Sequence, residues 1–319
     1  MSKRVPADIS HTASVVSVRG VTKTFLQRRR GNRGILRNLI HPERKTITAL
    51  DGLSFEVAPG EFVAYAGPNG AGKSTTMKLL AGMLLPNAGE LSVLGLSPRK
   101  DRIAIMRRLG VLFGNRTELW WDHPVIQSFE WKKVVWDIPE REYQETLDTV
   151  TELLGVKDLL KTFARELSLG QRMRADLAML LLHRPELILL DEPTLGLDVM
   201  AKRRMIGFLK KLNAESGTTI IVTSHDMDDL EEMARRILLI SGGKAAFDGD
   251  FSALRGKLGC VKKAVVLFES GERREVPYQD TNRFLYELSG LSGIADVSFT
   301  QTSLEEGLAN LYSQNEKNV

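Results

Sequence analysis

Cysteine is nearly absent: Cys260 stands alone in 319 residues, so no internal disulfide can hold the chain together. A reducing compartment fits that usage. Long apolar runs are missing too. Stretches such as Leu177-Ala-Met-Leu-Leu-Leu182 fall far short of the ~20 residues that cross a bilayer as a helix. Met1 to Thr12 has no apolar core of the secretory kind, and a loose tail is expected over 1–13. If the protein serves a membrane process, the membrane part is expected on another polypeptide. There is no internal repeat and no low-complexity segment. Charged residues at 26% and apolar residues at 43% are instead those of an ordinary soluble globular chain. The length suits one large domain with an appendage.

What charge there is lies unevenly. Residues 1–46 carry eleven Lys or Arg against two Asp or Glu, a net of +9, so residues 47–319 carry −5 of the total +4. Basicity is therefore a property of one segment. Residues 27–46 interrupt the strand pattern, and there Ile35-Leu36 and Leu39-Ile40 stand between arginines at helical spacing. That pattern suits a short amphipathic helix near anionic lipid headgroups.

Gly67-Pro68-Asn69-Gly70-Ala71-Gly72-Lys73-Ser74-Thr75 fits G-x-x-x-x-G-K-[ST]. Apolar Phe62–Ala66 before it reads as a buried parallel strand, and Leu79, Leu80 and Met83 after it as a helix. Glycines permit backbone conformations in which successive N–H groups turn inward on phosphate oxygens. The positive end of the helix adds to that attraction. Lys73 is placed to neutralise the β- and γ-phosphates of a nucleotide, and the Ser74 hydroxyl to ligate magnesium.

Three further segments follow in order: Leu167-Ser168-Leu169-Gly170-Gln171; the apolar run 187–190 closed by Asp191-Glu192; and His225 after the run 220–224. Strands and helices alternate from 62 to 240, which predicts an α/β fold with a mostly parallel sheet. The motifs are expected at the carboxyl ends of its strands, where such sheets bind ligands. Residues 116–165 turn helical, and after Asp250 the chain reads as a second small unit, a hairpin, helix, strand and helix.

Together these residues resemble the nucleotide-binding subunit of an ABC transporter over about 15–245. The resemblance implies a P-loop NTPase cassette over 14–248, with a mixed sheet core, an antiparallel β subdomain and a helical subdomain near 116–166, followed by a small α+β domain over 249–319. It implies ATP and Mg2+ as ligands. Gly67 to Thr75 match the Walker A loop, and Asp191 the magnesium-holding aspartate. Glu192 matches the catalytic base, His225 the switch histidine at the γ-phosphate and Asp198 the D-loop. Phe25 falls where the family stacks an aromatic ring on adenine. Ser168, Gly170 and Gln171 resemble the signature that meets the ATP of the opposite subunit, which implies a head-to-tail dimer.

Two positions depart from the family pattern. Leu169 replaces a signature glycine but leaves Ser168 and Gly170 in place. Asn115 stands where a glutamine normally touches magnesium and the attacking water, and it is one methylene shorter. Leu119, Trp120 and Trp121 fall in the region through which relatives contact a membrane permease. Adjacent tryptophans cannot share one helix face, so one is expected to project outward. The tail Ser303-Leu304-Glu305-Glu306 and Gly114 to Trp121 are similar to exporter-type members whose permease is a separate chain. These features point to an export ATPase on the cytoplasmic face of a membrane. An importer ATPase, or a soluble relative acting on ribosomes or DNA, is the competing reading. Nucleic acid is not expected as a partner, because the basic segment lacks interleaved aromatics and the rest is acidic.

Overall fold

The computed structural model describes residues 14–29, 43–113, 116–259, 262–278, 281–301 and 303–308. The tail 1–13, the centre of the basic insertion with Ile35-Leu36 and Leu39-Ile40, and Asn115 lie outside the described residues. The chain divides into two compact units, Met1–Asp248 and Gly249–Val319.

The first unit opens with β1 (Val16–Arg29) and β2 (Glu43–Val57), then β3 (Phe62–Ala66) and β4 (Ala88–Val93). β1 lies between β2 and β4 in a three-stranded antiparallel sheet. Side chains alternate along β1 with period two. Val16 and Val18 are buried, while Ser17 and Arg19 turn outward to Glu56. The interruption expected at 27–46 begins later than the sequence implies. Arg28 pairs with Arg44 and Arg29 with Glu43, so the insertion is carried on two continuous strands. Thr22, Thr24, Phe25, Thr46, Ile47 and Thr48 supply the β-branched and aromatic residues that keep this ladder going.

The central sheet has six strands. β3 is joined by β5 (Leu109–Phe113), β6 (Leu187–Asp191), β7 (Thr219–Thr223), β8 (Arg236–Ser241) and β9 (Lys244–Asp250), in the order β5-β6-β7-β3-β8-β9. β5 to β8 are parallel with β3. Leu187 to Leu190 do not alternate, since a strand covered on both faces buries every side chain. β8 turns into β9 through Gly242 and Gly243, both at positive φ (56° and 76°), as a two-residue hairpin requires.

Among the described residues, the helices of this unit are α1 (Lys73–Leu80), α2 (Arg102–Met106), α3 (Val125–Val135), α4 (Glu140–Leu153), α5 (Leu169–Leu181), α6 (Val199–Ser216) and α7 (Met227–Met233). Pro124 and Pro139 stand just before α3 and α4, where a missing N–H costs nothing. α3 buries Val125, Ser128, Phe129 and Lys132, one stripe at helical spacing. α5 packs on β5, α3 and α4. It is the one motif-bearing element that corrects the sequence reading. Leu167 to Gln171 follow a short 3-10 turn, Ala164–Glu166, and open a helix; they do not sit at the end of a strand.

The second unit holds α8 (Phe251–Lys257), β10 (Lys262–Phe268), β11 (Arg273–Tyr278), α9 (Thr281–Ser289) and β12 (Ile294–Gln301). Its sheet is antiparallel in the order β11-β10-β12, and Ala264, Val266, Phe284 and Leu288 form its core.

Candidate functional site

The phosphate-loop segment leaves fully buried β3 and enters α1. Two of its glycines have no alternative. Gly67 has φ 155° and a Cβ there would lie 2.3 Å from the Ile240 carbonyl oxygen. Gly72 has φ 108° and a Cβ would lie 2.6 Å from the Ala49 oxygen. Between them, the Ala71 N–H donates to the Pro68 carbonyl and tightens the turn, leaving Asn69 and Gly70 exposed at its tip. Lys73, 8% exposed, donates to the carbonyls of Gly67 at 2.6 Å and Pro68 at 3.3 Å. Burial pushes its pKa down, against the pull of Glu192 and Asp191. Behind the loop, the Tyr65 hydroxyl donates to Thr76 Oγ1 at 2.9 Å, and Thr76 donates to the Gly72 carbonyl. Burial raises the Tyr65 pKa, so the phenol stays protonated. Ser74 is exposed and Thr75 half-buried on the first turn of α1.

Two acids end β6 beside this loop. Asp191 Oδ2 accepts from Ser74 Oγ at 3.4 Å, and Oδ1 accepts from Thr223 Oγ1 at 2.6 Å. Glu192 adopts φ +59°, a left-handed conformation that a side chain makes costly by roughly 1–2 kcal/mol. Its N–H is held by Thr223, through Oγ1 at 3.1 Å and the carbonyl at 3.2 Å. Its carboxylate accepts from the His225 N–H at 3.2 Å, and His225 Nε2 stands 3.5 Å from the other oxygen. Burial raises the Glu192 pKa; His225 and Lys73 oppose the shift and the Asp191 charge adds to it.

The loops carrying these residues are braced from behind. Thr194 donates to Asp229, and Lys202 bridges Asp226 at 2.7 Å and Asp229 at 2.9 Å. A cleft of about 220 Å3 opens over Ser74, Asp191 and Glu192, with Phe113 and Arg116 on its wall. Thus Lys73, Ser74, Asp191, Glu192 and His225, read from three separate segments, come together. The sequence reading missed Thr223 and Arg116. Thr223 is one more β-branched residue in an apolar strand, and only its place opposite Asp191 makes it notable.

The remaining expected residues lie elsewhere. Ser168 caps α5 in a reciprocal box: its hydroxyl accepts from the Gln171 N–H at 3.2 Å, and Gln171 Oε1 accepts from the Ser168 N–H at 2.8 Å. Among the described residues these bonds close on one another and do not reach Lys73 or Asp191. Asp198 caps α6 through the Ala201 N–H. Gly170 and Gly196 face Leu197 and Leu169 respectively, so the signature segment and the segment before α6 pack together. Phe25 is 37% exposed on β1, opposite Ile47, with the Lys23 ammonium 5.3 Å from its ring.

Leu119, Trp120 and Trp121 need correction. Leu119 is 4% exposed and belongs to the interior. The two tryptophans lie before α3 and not on a helix, so both project, at 39% and 48% exposure. Trp120 packs on Trp131 at 5.7 Å, and the Arg172 guanidinium sits 4.6 Å over Trp121.

Two oxygen donors, the Ser74 hydroxyl and the Asp191 carboxylate, are a suitable set for magnesium, a hard cation that keeps few protein ligands and shares phosphate oxygens. Among the described residues no group of three or more His, Cys, Asp or Glu is placed to hold a metal without such help. No helix there is long and apolar enough to cross a membrane.

Comparison with known proteins agrees with this geometry. The family model described as ABC transporter matches residues 50–195. An uncharacterised ABC transporter ATP-binding protein of Bacillus subtilis is 34% identical, over 62% of this chain and 63% of its own length. The chain thus spans under two thirds of that relative. A putative ABC transporter ATP-binding protein of Clostridium acetobutylicum is 32% identical, over 63% of this chain and 73% of its own. A solved ATP-binding subunit of an ABC transporter superposes with a TM-score of 0.64 at 22% identity, covering 77% of this chain and 94% of that one, a likeness of fold. The glycine cradle, the buried lysine and the paired acids all lie within the residues that the family model matches, and with the relative of which the chain covers 73% this makes the chain a member of the ABC transporter ATP-binding family.

Proposed function

We propose that this chain binds ATP with magnesium and hydrolyses the terminal phosphate, supplying energy to a membrane transporter whose permease is a separate chain. One observation carries the reading: Lys73, Ser74, Asp191, Glu192 and His225 come together at the ends of three neighbouring strands, beside a cleft lined by Ser74, Asp191 and Glu192. Lys73 leaves its two carbonyls to meet β- and γ-phosphate oxygens, and the Gly67–Thr75 backbone wraps them. Ser74 and Asp191 would hold magnesium, which would offset the charge of the phosphate oxygens. Glu192, kept in position by His225 and by its left-handed backbone, orients water in line with the γ-phosphorus and accepts its proton. His225 faces the γ-phosphate from the end of β7. Asn115 assists at the same centre, and Phe25 meets the adenine.

Assembly is part of the proposal. Ser168 Oγ accepts within its own cap, which leaves its proton free to donate to a phosphate presented by a second copy. With the start of α5 this makes an anion site that one chain alone does not complete. Two copies head to tail share two ATP molecules, with Gln171 and Asp198 beside the shared sites. Trp120 and Trp121 contact the permease, and the basic segment 27–46 meets anionic lipid at the cytoplasmic face. Export is the direction favoured by the similarity of Gly114 to Trp121 and of the tail to exporter-type members. Glu192→Gln is the decisive test. Turnover is expected to fall by about 1,000-fold while ATP still binds and holds the dimer together; undiminished hydrolysis would sink the mechanism.

A further inference from the structure

Thr223 ends β7 directly opposite Asp191, the last residue of β6, in parallel register. It is fully buried. We propose that Thr223 is the positioning residue that orients both acids of the site toward nucleotide and metal, an inference that rests on the ATP reading above. Its hydroxyl has two engagements at once: it donates to Asp191 Oδ1 at 2.6 Å and accepts from the Glu192 N–H at 3.1 Å. The short contact to a carboxylate is of the charge-assisted kind, the stronger class of hydrogen bond. A β-branched side chain is stiff at χ1, so the hydroxyl is held where the strand puts it.

Each engagement settles a different degree of freedom. Pinning Oδ1 stops the Asp191 carboxylate from turning about its Cβ–Cγ bond, and leaves Oδ2 toward Ser74 Oγ, 3.4 Å away. Gripping the Glu192 N–H secures a backbone at φ +59° that a glutamate does not adopt without support. Without the hydroxyl, the Glu192 N–H keeps only the Thr223 carbonyl, at 3.2 Å, and Asp191 Oδ1 loses the Thr223 donor. The carboxylate then has to be ordered when the metal arrives, and partners that orient metal ligands are typically worth 10- to 100-fold in affinity.

Thr223→Val keeps the branched shape and removes the hydroxyl; Thr223→Ser keeps the hydroxyl. The measurement is binding of a fluorescent ATP analogue to the whole chain, with Mg2+ titrated in and again in EDTA. In EDTA, Thr223→Val should bind the analogue as wild type does. With Mg2+, its half-saturating metal concentration should rise by about 10- to 100-fold, while Thr223→Ser stays near wild type. A Val variant with the wild-type metal midpoint overturns the proposal. So does a Ser variant as impaired as Val, because that assigns the loss to packing of the methyl group. If Thr223→Val does not fold, Thr223→Ala carries the same expectation and the same refutation. Wild-type protein that shows no metal-dependent nucleotide binding overturns the ATP reading itself and the proposal with it.

Discussion

Leu169 occupies the space that any side chain on Gly196 needs: its Cδ2 lies 2.7 Å from where a Gly196 Cβ stands. The residue that replaces a signature glycine is therefore a brace between the start of α5 and the segment leading into α6. Gly196 also has φ +72°, so two separate penalties meet at one position. Gly196→Ala is expected to destabilise the chain by about 1–2 kcal/mol, mostly from left-handed strain, because the half-exposed tip of Leu169 can turn aside. Leu169→Gly in the same chain should recover only a small steric part, under about 1 kcal/mol, and leave the backbone part. A double-mutant cycle in urea, read by circular dichroism, measures the coupling. Strictly additive losses would show that the two residues do not meet.

Asp176, on α5, offers a second test. Burial pushes its pKa from 3.8 up to about 6, with the Glu118 charge adding and the bonds from Thr117 Oγ1 and the Glu118 N–H opposing. Between about pH 4 and 6 the folded chain holds a proton that the unfolded chain releases, so this group weakens the fold as pH rises through that window. His183 acts with the opposite sign. Burial and the Lys132 charge push it down to about 4, so acid below its ordinary 6.5 favours the unfolded chain.

Asp176→Asn keeps the bonds from Thr117 and the Glu118 N–H, since each goes to Oδ1, while the weaker one from the Leu119 N–H is the one at stake. The variant should be more stable than wild type at pH 8 by at most about 3 kcal/mol. Its advantage should shrink below pH 6 and vanish near pH 4, exposing the acid sensitivity that His183 contributes. Thermal unfolding from pH 4 to 8 reads this directly, and an advantage independent of pH would contradict it.

The paired tryptophans supply the third. Trp120 and Trp121 are half-exposed large rings on a surface to which Trp131 also contributes, and aromatic residues are favoured anchors at interfaces. Trp120→Ala and Trp121→Ala should leave basal ATP hydrolysis intact and abolish its response to the permease. Trp121→Phe, which keeps a ring under Arg172, should respond normally. Full coupling in both alanine variants would remove this face from the permease contact.

How legible all this was depended on how local each feature is. Gly67 to Thr75 could be read because the turn needs glycines at set places and the lysine follows within one stretch of chain. The run 187–190 before Asp191 was readable for a similar reason: a strand buried on both faces is apolar throughout. Trp120 and Trp121 were misjudged because helical spacing across 116–165 hid the loop that carries them. The extension of β1 and β2 into the basic insertion was missed because pairing of Arg28 with Arg44 depends on a partner strand, not on either residue's own preference.

Local composition marks the residues proposed to handle phosphate: glycine permits the backbone, lysine brings charge, and acids follow an apolar strand. Only the tertiary structure decided how they are aimed. Thr223 and Asp191 are 32 residues apart in the chain and meet because β6 and β7 are neighbours in parallel register. Glu192 meets His225, and Leu169 meets Gly196, by the same kind of placement. Sheet order and helix packing are set by burial of the whole core, a property that no single motif carries.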